Sequence, residues 1–215
     1  MNRRRMLHVF KSEFGQYEDA PVLPPETDPQ IYVSRNALPQ PFYLLCEKDN
    51  VLSQISGRSR VYLHGSAVNW FRTDVGDHVY VPAGTPHRIV PAESGVMVRY
   101  QPLQAGRQGA AWYCDRCGAE LRRYEWEHHN DTPPSDYYAA ACARFNQDAT
   151  ERTCAVCGAA AAPVDLAAYG WVPELAAASG ENSSLPTASQ RGARPGLTAE
   201  HVRSRWWLRH SSSGI

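Results

Sequence analysis

Apolar and polar positions change rhythm several times along the chain. The first 30 residues carry little periodicity and hold Pro21, Pro24, Pro25 and Pro29, so residues 1–30 are expected to form an irregular arm. From Ile31 to about Gln101 the texture becomes short apolar runs: Phe42–Cys46, Arg60–His64, His78–Val81 and Val96–Tyr100. Each is rich in Val, Tyr or Leu, and Gly57, Gly65, Gly76, Gly84 and Gly95 punctuate them. Short runs between turn residues predict strands, and several in succession predict a small all-β sandwich or barrel over residues 31–111. Residues 112–173 hold two cysteine pairs joined by a polar stretch with Pro133 and Pro134, and a short helix is expected over residues 136–146. Large apolar residues then become scarce. Residues 174–215 read as a polar tail, disordered or extended over residues 179–195. Near its end Thr198 can N-cap a helix to Arg209 that carries Val202, Trp206, Trp207 and Leu208.

Composition narrows the class without naming it. At 43% hydrophobic and 20% charged residues the chain reads as soluble and globular. Its 22 basic and 22 acidic residues cancel, so no global field favours nucleic acid or an anionic membrane surface. Arg3, Arg4 and Arg5 are not followed by the apolar segment of a signal peptide. No stretch approaches the roughly 18–20 apolar residues of a membrane span, so a cytoplasmic protein is expected.

The cysteines sharpen this picture. Four of the six fall in two C-x-x-C pairs, Cys114–Cys117 and Cys154–Cys157, while Cys46 and Cys142 stand alone. Gly118 and Gly158 follow the two pairs. Two residues between thiolates let both bind one ion while backbone amides turn toward the sulfurs, and glycine relieves the tight turn. Four thiolates suit one tetrahedral zinc or iron ion. With every position taken by protein, such a site is structural.

A second constellation lies in the β region. Gly76-Asp-His-Val-Tyr-Val-Pro82-Ala-Gly84-Thr-Pro-His87 fits G-x5-P-x-G-x-x-H, the second sequence motif of cupin barrels. This stretch is followed in order by Trp112-Tyr-Cys-x-x-Cys-Gly, Thr132-Pro-Pro, an aromatic segment and Arg152-Thr-Cys-x-x-Cys-Gly. From roughly Pro24 to Gly158 the order resembles bacterial 3-hydroxyanthranilate 3,4-dioxygenases. The resemblance implies a mainly β fold: one jelly-roll cupin barrel with a small C-terminal rubredoxin-like metal segment, assembled as a homodimer. In that family a separate Fe(II), held by two His and one Glu, binds O2 for ring cleavage.

The chain departs from this pattern where the iron would sit. His87 matches the family's second histidine, yet no histidine lies between His8 and His64. Glu47 does not have the spacing of the family's glutamate, and Gln40 and Pro91 fall near positions where the family carries substrate-binding arginines. One histidine cannot supply three facial ligands. The expectation is therefore a barrel without catalytic metal, holding one structural zinc or iron at its cysteines. The vacated barrel pocket would do acid–base chemistry on an aromatic carboxylate or amino-acid-like molecule, by condensation, isomerisation or decarboxylation. Inward candidates are His64, Tyr80 and His87 as proton-transfer groups and Arg99 as a carboxylate anchor, with Tyr62 and Trp70 as walls. His78 is expected to face outward, and His128 and His129 to sit exposed in a loop. A ring-cleaving dioxygenase with rearranged ligands and a non-catalytic ligand-binding cupin are the competing readings.

Overall fold

In a computed structural model of the chain, residues 17–171 are described. Nine strands and one helix follow in order: β1 Tyr17–Pro21, β2 Gln30–Asn36, β3 Tyr43–Cys46, β4 Asn50–Leu63, β5 Trp70–Thr73, β6 His78–Val81, β7 His87–Gln101, β8 Arg107–Tyr113, β9 Glu120–Glu127 and α1 Pro134–Gln147. The protein is mostly β, a curled antiparallel sheet with the cysteine cluster at its end.

The frame of the sheet is the long pair β4 and β7. The far half of β4, Ser59–Leu63, pairs with Pro91–His87, while Val51–Gln54 pairs with Tyr100–Met97. Each half then recruits different neighbours. The second half of β7 pairs with β2, which carries β1, and the first half of β4 takes β6. At the other end β7 meets β3 through Leu44 and His87, β3 leads to β8 and β9, and β4 takes β5. Register shifts between Gln54 and Ser59 mark where both long strands bend from one half to the other. Two glycines make that bend possible. A Cβ on Gly95 would lie 2.0 Å from the Ser56 carbonyl oxygen, and one on Gly57, at φ 69°, would lie 2.6 Å from that of Ser94.

Two apolar clusters lie among the described residues. Leu52, Val61, Leu63, Val79, Val81, Ile89 and Met97 form the first, among β4, β6 and β7. The second lies between the β3–β8–β9 side and α1 and contains Phe42, Trp112, Tyr138, Cys142 and Phe145, with the Trp112 and Phe145 rings stacked 4.2 Å apart. Helix α1 enters through Pro133-Pro134 and spaces Pro134, Tyr138, Ala141, Cys142 and Phe145 along one buried face. Asp136 in its first turn and Arg144 in its last complement the helix dipole.

The expected mainly β architecture and helix are present, but two boundaries move. Residues 17–21 are not part of an irregular arm, because β1 pairs with β2 along its whole length. Prolines nearby hid a strand that takes Pro21 at its end. The barrel also does not stop at residue 111, since β8 runs to Tyr113 and β9 extends the same sheet. Residues 1–16 and the polar tail with its expected tryptophan helix lie outside the described residues. No helix among the described residues is long and apolar enough to cross a membrane.

Candidate functional site

The four cysteines come together. Cys114, Cys117, Cys154 and Cys157 place their sulfurs within 4.8 Å of one another, the single group of at least three metal-ligating side chains among the described residues. The two arms are copies of one turn. Gly118 N–H donates to the Cys114 carbonyl and Cys114 N–H to that of Ala119; Gly158, Cys154 and Ala159 repeat this with the same 2.8 Å lengths. Gly118 and Gly158 sit at φ 74° and 71°, which explains the glycine after each pair. Sulfur–sulfur separations are 3.5 Å for Cys114–Cys157 and for Cys117–Cys154. A tetrahedron of about 2.3 Å zinc–sulfur bonds has edges of about 3.8 Å, so the donor set fits one such ion with small adjustment. Backbone amides of Cys117 and Arg116 lower the Cys114 thiol pKa, and those of Cys157 and Val156 bring Cys154 down to about 7, favouring thiolate at these two. At Cys117 and Cys157 the amides of Ala119 and Ala159 are outweighed by neighbouring thiols and burial, which push both up. Cys46 and Cys142 are buried elsewhere as free thiols.

The barrel interior is another matter. His87 is 1% exposed and Arg99 is 3% exposed. Around them Tyr17, Asp19, Ser34, Gln40, Leu44 and Met97 leave about 10 Å³ of free space, room for roughly one water. Arg99 donates to the Asp19 carboxylate, which also accepts from Tyr138 Oη at 2.9 Å and Ser34 Oγ at 3.2 Å. The guanidinium stacks 4.8 Å over the Tyr32 ring. Burial is the largest influence and opposes its charge, but Asp19 together with Tyr138, Cys46 and Tyr32 outweighs it and raises its pKa further. Arg99 is thus an internal strut joining β1, β7 and α1, not an anchor open to a carboxylate. Burial, then the Arg99 charge, pushes His87 down to about pH 4, and its Nε2 finds no hydrogen-bond partner among the described residues. An aromatic substrate has no room beside it.

This donor set does not fit a mononuclear catalytic iron. His87 is the one buried imidazole there, and the nearby carboxylate, Asp19, is engaged by Arg99.

The remaining interior candidates sort by strand alternation. Val79 and Val81 point inward, so Tyr80 shares the outer face with His78 and is 57% exposed. Trp70 lies opposite Tyr62 on the outer face of the β4–β5 pair, with the Arg60 guanidinium 5.0 Å from its ring centroid. Neither Tyr80, Trp70 nor Tyr62 walls the interior. His128 is half-buried rather than exposed, its Nε2 within 2.8 Å of Tyr32 Oη and 3.2 Å of Gln101 Nε2; His129 is exposed.

His64 leads somewhere different. It lines a groove of about 420 Å³ on the outside of the barrel, between β3, β7 and β8 and the cysteine segment. Its imidazole stacks on the Tyr113 ring at 3.5 Å with 19° between planes, and Tyr43 meets both rings edge-on. Burial lowers the His64 pKa, leaving a neutral base near physiological pH. Arg88 lines the same groove, its Nε–H held by the Gln40 carbonyl at 2.7 Å, and Gln40 is itself fixed through the carbonyls of Phe42 and His87. Opposite stand Cys114, Asp115, Gly118 and the strip Ala161, Ala162 and Val164. The groove thus joins an imidazole, a guanidinium and aromatic faces around a volume of small-molecule size. Sequence reasoning found His64 and missed Arg88, Tyr43 and Tyr113. The usable signal was alternation: if His87 points in, Arg88 points out.

No protein-family model and no curated protein sequence matches the chain. Among solved structures it is similar to a hydroquinone 1,2-dioxygenase solved with Cd2+ and 4-hydroxybenzonitrile, at 15% identity and TM-score 0.39, covering 47% of this chain and 76% of that one. It is also similar to a cupin-2 domain protein of Shewanella frigidimarina, at 13% identity and TM-score 0.39, covering 47% and 93%. A third likeness is to a DMSP lyase of Ruegeria pomeroyi, at 19% identity and TM-score 0.34, covering 40% and 47%.

Proposed function

We propose that the chain is an enzyme on a cupin-like barrel that performs acid–base chemistry, without a catalytic metal, on an aromatic carboxylate or amino-acid-like molecule. Its site is the outer groove and not the barrel interior. The supporting observation is that His64, Arg88, Tyr43 and Tyr113 line one groove, set against an interior with about 10 Å³ to spare. The residues divide the work by chemistry. Arg88 offers planar donors to a carboxylate, with one edge already fixed by Gln40. Tyr113 and Tyr43 hold the His64 ring and give an aromatic substrate faces to pack on. His64, neutral at rest, takes a proton from the bound molecule and returns it, as condensation with an aldehyde, isomerisation or decarboxylation each requires. The four-cysteine ion is scaffold in this reading.

Titration of the metal-loaded full chain with fluorescent 2-aminobenzoate tests the site. Arg88→Gln is expected to weaken binding at least about tenfold, the scale of one charge-assisted contact. His87→Gln should leave it unchanged. Unchanged affinity in Arg88→Gln with loss in His87→Gln would return the site to the interior. Turnover of aromatic amines with aldehydes, followed by mass spectrometry, should vanish in His64→Ala while binding persists. Binding with no turnover under any condition would make the chain a ligand-binding protein.

A further inference from the structure

We propose that the ion held by the four cysteines sets the width of the outer groove, so that metal occupancy and ligand binding in the groove are thermodynamically coupled. The inference rests on the reading of that groove as the ligand site. The groove's two sides have different supports. On the barrel side Tyr43 and Arg88 stand on strands locked into the sheet, and His64 directly follows β4 with its N–H on the Pro86 carbonyl at 2.9 Å. The other side is built from the two cysteine turns themselves. Cys114, Asp115 and Gly118 come from the first turn, and Ala161, Ala162 and Val164 from the strip leaving the second.

That strip follows the second turn closely: Thr153 bridges to Ala160, and Ala161 N–H donates to the Arg152 carbonyl at 2.8 Å. Its far end is pinned to α1, since Asn146 exchanges hydrogen bonds of 2.7 and 2.8 Å with the Val164 backbone. The near end is tied to the helix less directly, through Arg152, whose Nη1 donates to the Phe145 and Asn146 carbonyls at 3.3 and 2.6 Å. The first turn is drawn to the second by the pair of 3.5 Å sulfur contacts, helped by Glu151, which pairs with Arg122 at 2.9 Å and accepts from Tyr124 Oη. Four sulfurs within 4.8 Å of one another can all ligate as thiolates only around a cation that offsets their mutual repulsion. With the ion bound, the turns close and residues 161–162 stand at a fixed distance from Tyr113 and His64. Without it, this lip drifts while the barrel side stays. Coupling is reciprocal, so a ligand bridging the two sides must also tighten metal binding by the same factor.

Hydrogen exchange of the full chain, zinc-loaded and chelator-stripped, reads the lip directly. Faster exchange is expected in peptides spanning residues 112–121 and 158–165 after stripping, with residues 50–63 and 87–101 unchanged. Equal exchange at residues 158–165 in both states would overturn the proposal. 2-Aminobenzoate should bind the stripped protein about tenfold more weakly, within the usual range of coupling between sites. On the loaded protein, which needs no stripping, the same probe should slow zinc transfer to a chromophoric chelator severalfold. A folded, stripped protein that binds the probe with undiminished affinity would also overturn the proposal. Failure of the groove reading looks different: Arg88→Gln would then leave probe binding intact in the loaded protein while the metal-dependent exchange remained.

Discussion

Along β7 two basic side chains sit next to each other and go to opposite sides of the sheet. His87 turns in toward Leu44 and Leu63, and Arg88 turns out toward the groove. The inward histidine has a measurable consequence. Its pKa falls from an ordinary 6.5 to about 4 because burial disfavours the charged ring. The unfolded chain therefore binds a proton below pH 6.5 that the folded chain refuses. Stability is complete above that pH, falls as pH drops toward 4, and levels off below it. About 3 kcal/mol should be lost through His87 over this window. Urea unfolding at pH 7 and pH 4 should show a clearly smaller difference for His87→Gln than for the unaltered chain. The Asp19–Arg99 pair behaves differently. Asp19→Asn strips the charge partner from a buried guanidinium and should cost about 3–5 kcal/mol, whereas Asp19→Leu combined with Arg99→Met should cost much less than the sum of the single changes. A double-mutant cycle in urea measures this.

Elements carry a second kind of constraint. The bend of β4 and β7 requires two backbones to pass where no side chain fits, so Gly95→Ala forces Ser56 to move. A loss of at least about 2 kcal/mol is expected, with the largest rise in hydrogen exchange at Gln54–Ser59 and Glu93–Met97. An ordinary core change provides the contrast: Phe145→Ala on α1 should cost about 3–5 kcal/mol through its lost stack on Trp112, and should loosen the helix before it loosens β4 and β7. Composition and spacing made the helix and most strands legible, since both are local periodicities. They did not reveal β1, whose prolines read as irregular, nor that two short runs near residues 60 and 100 belong to strands of 14 and 15 residues. Strand length here is set by partners far along the chain, which no local window contains.

For the whole molecule, the four-cysteine cluster, which can hold a metal ion, is expected to be the largest single lever. Cys154→Ser should lower metal occupancy, and with it the thermal midpoint, by more than any surface substitution on the barrel, read by metal analysis and calorimetry on one preparation. The four cysteines were fully legible in the sequence because two turns of fixed local geometry, each closed by glycine, specify their own chemistry. The chain by itself also determined the β character, the helix behind Pro133-Pro134 and the inward place of His87. It could not determine whether the space around His87 is open. That depended on Asp19, Arg99 and Tyr138, from three separate elements, meeting to fill it. Nor could it place His64 and Arg88 in one groove with a lip from residues 161–164. Local order follows from backbone geometry over a few residues. A cavity is what remains after distant side chains have packed, so only the tertiary structure decides it.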